Sequence, residues 1–421
     1  MNNRIQEGLT LLQKGDTENG LEQLALAEKD ASHQEKYDLI LLYQEMGRAD
    51  KAKPLLEELI RLYPDEGELY VMIAETSIDL DQEDDAIEWL LEVSGEDNVY
   101  LQAQMLLADL YQLQGLDEAA EDKLRKALEI APEEPVLLAG LADFYLERGD
   151  FSKSIPYLKQ AERLGFTFPE GSLDLRLAEA YSATGEFEDA LRHYEIGLKE
   201  KKETQAMFGY GFTALQLNEY KLAAEQLEAL KSMDPEFVTL YPYLVRAYEG
   251  AQMHEEALKA AEEGLSVDEF NDGLFTEAGK LSLSLGDEIS AERRLKEALA
   301  LNPANSEAGL SLLAMWDRQE DFDSIIELAS HLSELGEEDP RLTWYQGRAY
   351  FETEKDKKAM ECYEKAYTSY QEDPEFLEEF GRLLLEAGQR GKAEAVLKEA
   401  LMLDPSNQEI TYLLEELESR G

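Results

Sequence analysis

Three stretches of the chain share one skeleton of apolar, small and polar positions: LADLYQLQGL (Leu107–Leu116), LADFYLERGD (Leu141–Asp150) and LAEAYSATGE (Leu177–Glu186) each read Leu-Ala-x-x-Tyr-x-x-x-Gly. Leu and Tyr four residues apart fall on one helical face, and the glycine suits the turn that ends such a helix. The pattern recurs along the whole chain at a step of 34 residues, altered only after the first, fifth and sixth units. Twelve units result, starting at Met1, His33, Gly67, Leu101, Pro135, Gly171, Thr204, Val238, Asp272, Ser306, Pro340 and Pro374.

Two small positions recur in each unit. The first is Gly8, Ala74, Ala108, Ala142, Ala178, Gly211, Gly279, Gly347 or Gly381, with larger Ile40, Val245 and Leu313 in the second, eighth and tenth units. The other, twelve residues on, is Gly20, Ala52, Ala86, Ala120, Ser154, Ala190, Ala223, Ala257, Ala291, Ala359 or Ala393, with Ile325 in the tenth. Small residues on consecutive helices let their axes approach, which predicts antiparallel helical hairpins. Gly15, Gly47, Gly115, Gly149, Gly185, Gly286 and Gly388 mark turns inside the hairpins, and Pro64, Pro132, Pro235, Pro303 and Pro405 mark where second helices stop. The first and tenth units depart most from the pattern and are expected to pack irregularly.

This pattern resembles the tetratricopeptide repeat (TPR), with matching aromatics at Tyr43, Tyr111, Tyr145, Tyr181, Tyr248, Trp316 and Tyr350. The phrases LADLYQLQGL, GEFEDA and MFGYGFTALQ are similar to the YpiA family of TPR proteins from Bacillus and its relatives. The resemblance implies an all-α solenoid of about twelve helix-turn-helix repeats wound into a right-handed superhelix. It also implies a bacterial cytosolic adaptor, acting with partner proteins in regulated turnover of a cell-wall synthesis enzyme. The longest step coincides with RLGFTFPEGS (Arg163–Ser172) and predicts a joint there, dividing the chain into subarrays 1–170 and 171–407. In 408–421, Ile410, Leu413, Leu414 and Leu417 at helical spacing predict a capping helix for the last apolar edge.

Composition narrows the function classes. With 92 acidic against 40 basic residues, the formal charge of −52 works against nucleic acid and anionic membranes and favours basic partners. One cysteine, Cys362, allows no internal disulfide and no cysteine-based zinc site. The chain lacks an apolar run long enough to span a bilayer, and the N-terminus lacks a signal-peptide pattern, so a cytoplasmic protein is expected.

Catalytic and cofactor motifs fail on context. GYGFTA (Gly209–Ala214) fits a dinucleotide fingerprint formally, but it lies within a first helix where Gly211 is the small packing position. DLDQEDD (Asp79–Asp85) has Asp84 where a calcium loop needs Gly. His33, His193, His254 and His331 show no metal-ligand spacing, and Cys362 has no base evident beside it. No enzyme, metal or cofactor is expected, and the oligomeric state is left open.

The TPR resemblance implies that the residue after the first small position points into a concave groove. In chain order this row reads Leu9, Leu41, Glu75, Asp109, Asp143, Glu179, Phe212, Arg246, Lys280, Ala314, Arg348 and Arg382. Four acids give way to bases. Arg176, Arg318 and Arg341 add charge to the expected groove, and Phe208, Tyr243, Trp344, Tyr345 and Phe351 add aromatic surface. Two readings stand: a groove in which Arg246, Lys280, Arg348 and Arg382 hold a partner's carboxylates while the acids steer its basic part, or ion pairs between neighbouring repeats that organise the stack. The Lys and Asn clamp with which some TPR proteins hold a chaperone's C-terminal carboxylate is unmatched. The resulting expectation is a non-enzymatic protein-binding scaffold, with a chaperone-like holdase or a self-associating scaffold as alternatives.

Overall fold

The computed structural model describes residues 3–169 and 171–419. Met1, Glu170 of the expected joint, and Arg420 and Gly421 of the expected cap lie outside the described residues. The chain divides into two compact units, Met1–Lys201 and Lys202–Gly421.

Unit 1 holds six antiparallel hairpins: α1 (Asn3–Gln13) with α2 (Thr17–Ala27), α3 (His33–Glu45) with α4 (Ala49–Leu62), α5 (Gly67–Ile78) with α6 (Glu83–Leu91), α7 (Tyr100–Leu113) with α8 (Asp117–Ile130), α9 (Pro135–Glu147) with α10 (Phe151–Arg163), and α11 (Leu173–Thr184) with α12 (Phe187–Glu200). Unit 2 holds six more and a final helix: α13 (Thr204–Gln216) with α14 (Tyr220–Met233), α15 (Leu240–Gly250) with α16 (His254–Val267), α17 (Asp272–Ser284) with α18 (Glu288–Leu301), α19 (Ser306–Arg318) with α20 (Phe322–Glu334), α21 (Pro340–Glu352) with α22 (Asp356–Ala366), α23 (Pro374–Glu386) with α24 (Arg390–Leu403), and α25 (Gln408–Ser419). The described residues are all-helical. Each second helix that precedes a marked proline stops two residues before it, as α18 does ahead of Pro303.

The division at 201/202 falls one hairpin later than the joint expected from the step lengths. Hairpins α9–α10 and α11–α12 are tied together across residues 164–172: Lys159 lies over the Tyr181 ring at 5.8 Å, and Arg176 pairs with Asp143 at 2.7 Å.

Within a hairpin, the first small residue faces a large one sixteen positions on. A Cβ added to Gly279 would lie 2.6 Å from Leu295 Cγ, so the fully buried leucine would have to shift to admit a larger residue there. Burying that leucine stabilises the hairpin by about 2 kcal/mol. In the tenth hairpin the sizes are exchanged: Leu313 occupies the small position, the residue sixteen on is Ala329, and both are buried with Ile325 in one core. The eighth hairpin does the same with Val245 and Ala261. Keeping one large and one small residue lets these hairpins close, so the tenth forms despite its departure from the pattern. The first closes on Gly8 and Gly20, each of whose added Cβ would lie within 3.1 Å of the other's carbonyl oxygen.

At three junctions the recurring aromatic position joins consecutive hairpins, its polar tip donating to a carboxylate on the preceding second helix. Tyr145 Oη reaches Glu121 at 2.7 Å, Tyr248 reaches Glu228 at 2.8 Å, and Trp316 Nε1 reaches Glu292 at 3.2 Å. The predicted glycines take left-handed conformations at their turns, as Gly185 does with φ +82°. Asp81, Asn218, Gln252, Glu320 and Glu354 adopt the same conformation at five turns that lack glycine. In unit 2 each first helix also touches the next first helix, so these helices line the inner side of its stack. Ile410 and Leu414 of α25 are buried against the last hairpin, with Leu413 and Leu417 partly so.

Gly279→Val should destabilise the chain by about 1–3 kcal/mol through overpacking. Leu295→Ala in the same chain should recover part of that loss, a non-additivity that thermal or denaturant unfolding of the double-mutant cycle measures.

Candidate functional site

The charged row lies one residue beyond the small position, on the first helices. A spacing governs what four of its members touch: Glu75, Lys280, Arg348 and Arg382 each contact the residue 27 positions on, in the first turn of the next helix but one. Gln102 Nε2 donates to Glu75 Oε1 at 3.2 Å, and Lys280 Nζ reaches Glu307 Oε1 at 2.7 Å. Arg348 Nη2 reaches Glu375 Oε1 at 3.2 Å, and Arg382 Nη2 reaches Glu409 Oε1 at 2.6 Å. Each contact is a rung between neighbouring hairpins.

In unit 1 the row is acidic and under-compensated. Among the described residues, no basic side chain lies within ion-pair distance of Glu75, Asp109 or Glu179. The residue 27 positions beyond Asp109 is Val136, which offers it no polar partner. It is open to water although protein crowds it, and that crowding followed by repulsion from Glu147 pushes its pKa up. Burial also raises Glu75, opposed by the Gln102 hydrogen bond and assisted by Asp79, and it raises Glu179, opposed by nearby Arg176 and assisted by Asp143. Asp143 is the exception, paired with Arg176, whose guanidinium also covers the Phe168 ring at 3.7 Å.

In unit 2 most of the basic row is engaged internally. Lys280 holds Glu277 as well as Glu307. Arg382 holds Glu378 as well as Glu409, both at 2.6 Å. Arg348 is the centre of a network, reaching Asp317 at 2.9 Å and Glu379 at 2.6 Å beside Glu375. Trp344 Nε1 and Tyr363 Oη both donate to the other oxygen of Glu379, each at 2.8 Å. Burial pushes the Glu379 carboxyl up against these three donors, while Glu379, Asp317 and Glu375 together keep Arg348 charged against its own burial. Trp344 also packs on Tyr370 at 4.8 Å, and Phe351 lies against the same core. Lys280, Arg348 and Arg382 thus already have carboxylates of the chain beside them, and Trp344 Nε1 already donates to Glu379.

Two places on this face remain open, and the spacing rule explains both. Arg246 has Gly273, which carries no side chain, 27 residues on, and among the described residues it has no ion-pair partner. On the same face of α15, Tyr243 joins Phe208 and Phe212 of α13 in edge-to-face contacts at 5.2 and 5.7 Å. In the second place, small Ala314 meets Arg341, so the rung is vacant. A cavity of about 440 Å³ opens there, lined by Ser306, Glu307, Leu310, Ser311 and Ala314 of α19 and by Arg341 and Tyr345 of α21. Arg341 turns its Nε and Nη2 toward Asp339, the N-cap of its own helix, and holds that carboxyl below the usual range. Arg318, one helical turn beyond Ala314, is exposed and, among the described residues, unpaired.

Four stretches match TPR families: 340–407 the YpiA-like C-terminal repeats, 112–166 the YpiA-like repeats, and 43–110 and 175–236 tetratricopeptide repeats in general. The TPR repeat-containing protein YpiA of Bacillus subtilis (strain 168) is 41% identical over 410 residues, which cover 97% of each chain. The chain belongs to the YpiA family of TPR proteins. Its likeness to the solved TPR protein YrrB is 17% identity over 44% of this chain and 95% of that one, with a TM-score of 0.40. For the Cut9–Hcn1 structure the values are 14%, 98%, 95% and 0.39. For a YpiA-family chain, protein–protein interaction follows at the general level of TPR scaffolds. No helix among the described residues is long and apolar enough to cross a membrane.

Of the residues near the start of each unit the sequence reading named Arg341 and missed Gln102, Glu307, Glu375 and Glu409, which engage members of the row. Complementary charges 27 residues apart were the available signal. It also missed that Glu162, Asp174 and His193 bring one ligand atom each to within 4.8 Å of one another, the one such group among the described residues. Cys362 contacts Gln346 at 3.6 Å, and burial pushes its thiol up to about 11, which keeps it protonated and a poor nucleophile.

Raised pKa values in the unit 1 row mean that the folded chain binds protons there more tightly than the unfolded chain does. Stability from these groups is therefore absent at neutral pH and grows as pH falls toward the ordinary carboxyl range of about 4. Asp109→Asn should raise the melting temperature at neutral pH, and its advantage over the wild-type chain should shrink as pH falls toward that range, as scanning calorimetry would show.

Proposed function

We propose that the chain is a non-enzymatic cytoplasmic scaffold that holds a segment of a partner protein on the inner face of unit 2, at the vacant rung between α19 and α21. The observation that carries this reading is the 440 Å³ cavity at Ala314, where a rung is lost and an arginine edge is presented instead. Asp339 occupies Nε and Nη2 of Arg341, which leaves Nη1 able to take a carboxylate oxygen from the partner. Tyr345 and the hydroxyls of Ser306 and Ser311 offer further polar contacts, Leu310 an apolar one, and Arg318 a second charge one turn away. Arg246, beside Phe208, Phe212 and Tyr243, provides a second anchor for an aromatic or aliphatic side chain followed by an acid.

The charge of −52 repels a partner that is acidic overall, so the bound segment is one in which a local carboxylate sits within a neutral or basic chain. The under-compensated acids Glu75, Asp109 and Glu179 of unit 1 favour the basic part of such a partner. This departs from a groove in which Lys280, Arg348 and Arg382 do the holding, because each already has at least two carboxylates of its own. A role in regulated turnover of a cell-wall synthesis enzyme, which the family resemblance implies, would be tested by the identity of the protein held.

A peptide library displayed against the full chain should select segments with a required Asp, Glu or C-terminal carboxylate. Ala314→Phe, which fills the cavity, and Arg341→Gln should each weaken the selected peptides at least about tenfold, the equivalent of 1.4 kcal/mol, with helicity unchanged. Unaltered binding by both variants would refute the site. A holdase would present a continuous apolar face, whereas these rows are charged. Light scattering should accordingly show no suppression of aggregation of an unrelated unfolding client.

A further inference from the structure

The ligand-bearing group Glu162, Asp174 and His193 lies in unit 1, away from the charged row. The three residues come from three helices, α10, α11 and α12, and so from two different hairpins. His193 Nδ1 lies 2.7 Å from Asp174 Oδ1, and the two side chains are 20% and 19% exposed. The imidazole stacks on Tyr181, with ring centroids 5.6 Å apart and planes 22° from parallel, which fixes its orientation. Glu162 is exposed and, among the described residues, has no basic partner of its own. Two carboxylates that close repel each other unless a cation lies between them, and the group the structure places against Asp174 is the His193 imidazole.

We propose that Glu162, Asp174 and His193 form a binding site for a first-row divalent transition-metal ion, with Zn²⁺ as the representative. One nitrogen and two carboxylate oxygens form a ligand set that zinc accepts at bond lengths of about 2.0–2.2 Å, with water completing the shell. Magnesium and calcium prefer oxygen ligands throughout. Ligand atoms within 4.8 Å of one another converge on such an ion after a small rotation of Glu162, the exposed and longest of the three side chains. An ion bound through Nδ1 would take the place of the His193–Asp174 hydrogen bond. Its mechanical effect follows from the placement: it would fasten α10 to α11 and α12, where the repeat step is longest. This site does not depend on the partner-binding reading.

Isothermal titration of Zn²⁺ into the full chain, first stripped with chelator, tests the proposal against His193→Ala and Glu162→Gln. The expected result is one stoichiometric site in the wild-type chain, weakened at least tenfold in each variant, with circular dichroism unchanged. Zn²⁺ should also raise the melting temperature of the wild-type chain and not that of His193→Ala, and Mg²⁺ should not reproduce the effect. Equal Zn²⁺ binding by the wild-type chain and His193→Ala would overturn the site and assign the ion to scattered surface carboxylates. Absence of a stoichiometric site in the wild-type chain would overturn it as well.

Discussion

Two short helices cannot cover each other's apolar stripes completely, and every other feature of this protein follows from that shortfall. Each hairpin is stable only when the next one lies against it, so the interface must repeat. The repeat is held by a contact between a small residue and a large one sixteen positions later, as between Gly279 and Leu295. In two hairpins the order of sizes is exchanged rather than lost, Val245 with Ala261 and Leu313 with Ala329, and these two apparent defects in the pattern leave the stack intact.

Once the hairpins are in register, their surface chemistry is constrained as well. The residue after the small position and the residue 27 positions on are brought together at Glu75, Lys280, Arg348 and Arg382. A base meeting an acid becomes a rung, as at Lys280 and Glu307. A mismatch leaves a charge or a hole, as at Arg246 with Gly273 and Ala314 with Arg341. Individually, exposed rungs contribute little stability, about 0–1 kcal/mol each. Their larger effect is to withdraw charges from the binding face, so that recognition falls to the places where the rule is broken.

Much of this was legible in the sequence. The skeleton of LADFYLERGD predicts a helix, a close approach at Ala142, an interface aromatic at Tyr145 and a reversal at Gly149, and the structure has Ala142 and Tyr145 buried and Gly149 left-handed. The change of sign along the row was also legible, and so, in principle, was its neutralisation through the residues 27 positions on. Turns at Asp81, Glu320 and Glu354 were harder to read, because nothing local marks a non-glycine residue that the flanking helices force into the left-handed region.

The sequence by itself therefore determined the period, the hairpins and the order of charges, because these depend on contacts at fixed offsets within one unit or the next. Only the tertiary structure decided how those charges are spent. Arg348 is drawn at once to Asp317, Glu375 and Glu379 from both neighbouring hairpins, and Trp344 turns inward to the same carboxylate. Glu162, Asp174 and His193 meet through an irregular connection that breaks the period. Convergence of side chains from three helices is a property of distances in space, and a one-dimensional spacing does not encode it.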